Sequence, residues 1–213
     1  MKTEDLVTML ATGTGAIDSH AVVRRFIAAG GVGMLGAAAL MIVLLGTRHD
    51  MIQAMTLPMF WVKLGYVACL AAAGMVALVR LSRPGLTMGR AALGLAAPVI
   101  AIWLLGGVEL AASGAADRAD LLFGKTWRSC PLLIALLAIP AFITCFWAVR
   151  GLAPTRLRLA GGAAGFASGA IAAVVYSMHC PEMGAPFIGV WYLLGMLVPA
   201  AVGALLGPRL LRW

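Results

Sequence analysis

The stretch "MFWVKLGYVACLAAAGMVALV", residues 59–79, carries a single charged side chain, Lys63. A helix crosses a bilayer with about 20 mostly apolar residues, and this run is long enough. Its apolar residues are continuous rather than alternating, which argues against a barrel strand. Working outward, five further runs have the same character: residues 26–46, 91–108, 131–149, 159–177 and 187–206. The whole chain is 62% hydrophobic and 11% charged, against about 25% charged in a typical soluble domain. A soluble fold of 213 residues has too little interior to hide that much apolar surface. The expected fold is all-α: an integral membrane bundle of six transmembrane helices. The first 25 residues lack an apolar core of the signal-peptide kind, so the run at 26–46 is expected to be retained. The connections are short, about 20 residues at most, and none holds a folded soluble domain.

With six spans, both tails fall on one side. That side holds eleven basic residues: Lys2, Arg24, Arg25, Arg80, Arg83, Arg90, Arg150, Arg156, Arg158, Arg209 and Arg212. The other side holds four: Arg48, Arg118, Lys125 and Arg128. Lysine and arginine accumulate on the cytoplasmic side, so both termini are expected inside. Residues 1–25 then form a cytoplasmic N-terminal segment, and 26–213 the six-helix transmembrane domain. The net charge of +8 is a topology signal beside anionic headgroups, and no direct nucleic-acid contact is expected.

Trp61, Trp127 and Trp147 lie near expected interfaces. Pro98, Pro140 and Pro199 fall inside spans, where they kink helices. Gly161, Gly165 and Gly169 repeat every four residues and make a close-packing face for another helix, within the chain or in a second copy.

Two Cys-Pro pairs stand at span edges on the outer side. Cys130-Pro131 opens the fourth span, and Cys180-Pro181 follows the fifth. Proline suits a first helical turn and a position just past a helix end. Two thiols facing an oxidising envelope can form a disulfide, or together take a soft metal ion. His179 and Glu182 flank Cys180, and His179 is a candidate third metal ligand with Cys130 and Cys180, although the spacing fits no standard zinc pattern. Cys69 and Cys145 lie mid-span and are expected to be inert packing. Lys63 lies about a turn from the outer edge and is expected to snorkel outward; Glu109 has the same option. In the N-terminal segment "MKTEDLVTMLATGTG", Leu6, Met9 and Leu10 share one helical face. That helix is too short to persist alone and is a candidate anchor for a protein partner.

Several stretches together resemble one family: "KTEDLVTML", "LLGTRHDM", "LPMFWVKLGYVACLAAAGMVALVRLSRPG", "WRSCPLLIALLAIPAF", "YSMHCPEMGAPFIGVWYLLG" and "LGPRLLRW". In order and spacing they are similar to the NrsF family of six-span bacterial anti-sigma factors, nearly end to end. The resemblance implies a non-enzymatic negative regulator at the inner membrane that holds an extracytoplasmic-function sigma factor on its cytoplasmic face. It also implies release on an envelope signal sensed through a pair of periplasmic cysteines, matching Cys130 and Cys180. No resident cofactor is expected, only a transient heavy-metal ion at the thiols; a homo-oligomer stays open.

Two other classes compete with this reading. A membrane thiol–quinone oxidoreductase wants a reactive pair such as Cys-x-x-Cys, which is missing. A small metal transporter wants polar residues lining a path near the midplane, and Lys63 alone makes none.

Overall fold

The computed structural model describes residues 4–5 and 20–212. The proposed anchor residues Leu6, Met9 and Leu10 lie outside the described residues. Among those described, the chain is all helical, with six helices long and apolar enough to span a membrane. These are α1 (Ala21–Leu44), α3 (Pro58–Leu81), α4 (Ala91–Ala112), α6 (Cys130–Val149), α7 (Leu157–Tyr176) and α8 (Ala185–Leu210). Two short helices lie in connections, α2 (Met51–Thr56) and α5 (Asp117–Phe123). The expected spans are all present, and α1 and α4 run several residues beyond them. The connection before the fourth span contains α5 and, as expected, no folded domain.

Helix α7 is the central staff. Alanine and glycine dominate its sequence, so neighbours approach its backbone from most sides, and nearly all of it is buried. Lipid tails are as apolar as the side chains, so close van der Waals packing rather than the hydrophobic effect holds such helices together. Its buried Ser168 hydroxyl donates to the Ala164 carbonyl at 2.6 Å, which satisfies a polar group that lipid cannot.

The glycine face of α7 packs within the chain, against α8. A Cβ on Gly161 would strike the carbonyl oxygen of Gly203, and one on Gly165 the carbonyl of Pro199. The contact is reciprocal: a Cβ on Gly203 would strike the Gly161 carbonyl, and one on Gly207 the Leu157 carbonyl. The two backbones touch with no side-chain layer between them. A second close contact joins α1 to α6, where a Cβ on Gly33 would come within 2.6 Å of the Ala141 Cα.

Arg25 pins the same pair of helices at their other end. Its guanidinium donates to the carbonyls of Trp147 and Arg150 at 2.7 and 2.9 Å, and lies 4.7 Å from the Trp147 ring centre. The last carbonyls of α6 have no partner within the helix, so a cation there both caps the helix and complements its dipole.

Candidate functional site: a buried thiol pair

The first residue of α6 and the loop after α7 meet at one end of the bundle. Cys130 heads α6, with Pro131 in its first turn. Cys180 follows three turn residues beyond α7, and its amide donates to the Tyr176 carbonyl at 3.0 Å. Both cysteines are fully buried and unbridged, and their thiols lie within hydrogen-bonding reach of one another. They were expected to face the envelope; the structure turns both inward.

Aromatic and cationic side chains enclose the pair. Tyr176 approaches both sulfurs from the last residue of α7. Tyr192 comes from a π-helical turn, Ile188–Tyr192, near the start of α8. Its ring centre lies 5.7 Å from that of Tyr176, and its hydroxyl faces Cys180 without reaching hydrogen-bonding geometry to any described group. In the same turn the Gly189 carbonyl accepts from the Trp103 indole at 3.0 Å; such turns collect at functional positions.

Lys63 lies beneath the loop. It does not snorkel: its side chain has no solvent exposure. Its Nζ donates to the backbone carbonyls of Cys180 at 2.9 Å and Glu182 at 3.0 Å, and stands 5.7 Å from the Tyr192 ring centre. Pro181 biases Cys180 toward extended backbone. Along an extended chain, carbonyls two residues apart face the same way, so both meet one ammonium. The Cys180 thiol is held below its ordinary range, first by the hydrogen bond with Cys130 and then by the Lys63 charge, against the opposing effect of burial.

Three further contacts seal this end. His179 Nδ1 lies 2.9 Å from the Gly46 carbonyl. The Glu182 carboxylate accepts from the Lys125 amide at 2.8 Å and the Thr126 hydroxyl at 3.3 Å. It fills the space a Cβ on Gly124 would need, and Gly124 has φ 54°, a backbone conformation that also favours glycine. The Glu109 carboxylate accepts from the Ala185 amide at 2.9 Å, capping the otherwise unsatisfied start of α8. Beside this seal, Arg48 grips Asp50 through two hydrogen bonds of 2.7 and 2.6 Å and holds that carboxyl down to about 2.

The sequence matches the family described as "Negative regulator of sigma F", NrsF, over residues 10–213. The chain belongs to the NrsF family. It is 54% identical over 213 residues to the probable anti-sigma-F factor NrsF of Azospira oryzae, with both chains covered in full. It is 42% identical over 217 positions to the anti-sigma-F factor NrsF of Caulobacter vibrioides, again over the whole of both chains. No solved structure matches the chain.

In this NrsF-family bundle the structure brings Cys130 and Cys180 together and places His179 against Gly46. Among the described residues no three His, Cys, Asp or Glu side chains gather as a metal site. Cys145 is buried, but Cys69 is exposed on the outer face of α3 rather than packed. Sequence reasoning missed Tyr176 and Tyr192. Tyr176 carried a signal, standing one helical turn before Cys180; Tyr192 is aimed by a π turn that composition does not announce.

Proposed function

We propose that the chain is a membrane-bound anti-sigma factor. It holds a sigma factor of the extracytoplasmic-function class at the bacterial inner membrane and releases it when an envelope signal reaches Cys130 and Cys180. Both termini face the cytoplasm in this reading, supported by the eleven-to-four distribution of basic residues. The N-terminal segment, with Leu6, Met9 and Leu10, captures the sigma factor.

The observation that carries the sensing half is the burial of two unbridged thiols side by side. With a peroxide as oxidant, two S–H bonds break, one S–S bond forms, and two electrons and two protons pass to the peroxide. A soft cation would instead take both thiolates and release two protons. Either event ties the start of α6 to the loop after α7, and those helices are joined at the opposite end by the 150–156 connection. A signal of this kind acts by favouring one of two arrangements of the bundle.

The test is a sigma-dependent reporter in cells carrying Cys130→Ser or Cys180→Ser. Both variants should accumulate normally and lose most of the response to peroxide and to cadmium. Wild-type responses in both would overturn the sensing assignment. The tether is tested separately, by recovering the protein from membranes with its bound sigma factor. Deleting residues 1–20 should lose that partner; retention would remove the N-terminal segment from the reading.

A further inference from the structure

We propose that Lys63 is the latch of the thiol pair: its ammonium holds the 180–182 loop down on α3, and the two sulfurs become reachable only when that hold is broken. The proposal deepens the reading above and takes from it only that Cys130 and Cys180 are the responsive pair.

A buried ammonium is tolerated only with acceptors around it. Here both assigned acceptors are backbone carbonyls of the loop itself, 117 and 119 residues away in sequence. The carboxylate of Glu182 is engaged elsewhere, by Lys125 and Thr126. The interaction therefore binds the loop's path, not a particular side chain on it. Charge-assisted hydrogen bonds are the stronger kind. Lifting the loop would leave the ammonium in an apolar interior, and removing the ammonium would leave the buried Cys180 carbonyl and the half-buried Glu182 carbonyl without this donor until the loop lifts to reach water. The Cys-Pro sequence sets up the geometry, because Pro181 favours the extended backbone that turns the flanking carbonyls to one side. The contact also explains how a lysine sits inside a span without a buried carboxylate partner among its assigned contacts: it belongs to the loop's fold.

The experiment follows amide hydrogen exchange in the full chain, reconstituted in lipid nanodiscs with reductant, for the wild type, Lys63→Met and Lys63→Arg. Lys63→Met keeps the apolar stem and removes the donor. Exchange of amides in residues 178–185 should rise about tenfold or more, the scale set by losing a hydrogen bond to a charged group. Exchange across 157–176 should stay as in the wild type. Maleimide labelling of Cys180 should rise with it, while labelling of the lipid-facing Cys69 stays constant. Lys63→Arg, which keeps the charge and the donors, should return protection to within about threefold. Unchanged exchange in 178–185 would overturn the proposal. So would a rise spread over every helix, which would make Lys63 a packing residue. If Lys63→Met does not yield a folded bundle, Lys63→Gln, which keeps an N–H donor, is compared with Lys63→Leu, and equal exchange in the two overturns the latch. None of these readouts involves a sigma factor, so failure of the sensing assignment and failure of the latch are separate results.

Discussion

Gly165→Leu is expected to prevent the bundle from assembling. A Cβ at this position would strike the Pro199 carbonyl and approach the Ala200 Cα within 2.8 Å. Neither obstacle is a side chain that can rotate away, so α7 and α8 must separate along their length. Overpacking a core typically costs 1–3 kcal/mol. Opposition by backbone on a central helix puts this case at roughly 3 kcal/mol or more, a large part of a typical domain's stability. The measurement is the monodisperse yield and thermal loss of helical circular dichroism in detergent. Gly162→Ala is the control, because its added carbon would meet the Ala204 methyl at 3.5 Å and the Ala200 carbonyl oxygen at 3.8 Å, both ordinary contacts. If Gly165→Leu melts with the wild type, the backbone contact between α7 and α8 is wrong.

Gly33→Leu is expected to release α1 and spare the rest. The added side chain would meet the Ala141 Cα at 2.6 Å and the Thr144 hydroxyl at 2.8 Å, so it pushes α1 from α6, the helix on which it chiefly rests. The cost is about 2–3 kcal/mol. The most extensive helix contact, between α7 and α8, does not involve α1. Protease cleavage in the 45–50 connection should therefore accelerate while the main thermal transition stays near its wild-type position. Gly31 gives the comparison: a Cβ there meets nothing within 4 Å, so Gly31→Leu should be cleaved at the wild-type rate. Equal cleavage of the two variants would show that α1 does not depend on the Gly33 contact.

These variants mark where sequence reasoning reached and where it stopped. The six spans were legible because each is a continuous apolar run, and lipid demands that length whatever the tertiary packing. The glycine repeat on α7 was legible as a contact face, but its partner was not. Gly203 and Gly207 stand in a span that also carries Pro199 and Pro208, and nothing local says which helix they touch. That Cys130 and Cys180 share one end followed from counting spans, whereas their inward orientation depends on rotations about helix axes that a sequence pattern does not set. Lys63 shows the limit most clearly. Snorkelling and burial suit the same residue at the same depth, and the choice falls to two carbonyls more than a hundred residues away.

The direct seating of α7 on α8 has a mechanical consequence. Side chains between helices act as a compliant layer, able to change rotamer and take up small displacements. Here that layer is absent along much of the crossing, and the two helices form a single stiff beam about 30 Å long at 1.5 Å per residue. Tyr176 and Tyr192 sit on one end of this beam; Leu157 and Gly207 sit on the other. A shift of either tyrosine is not absorbed midway but arrives at the far end as motion of the pair.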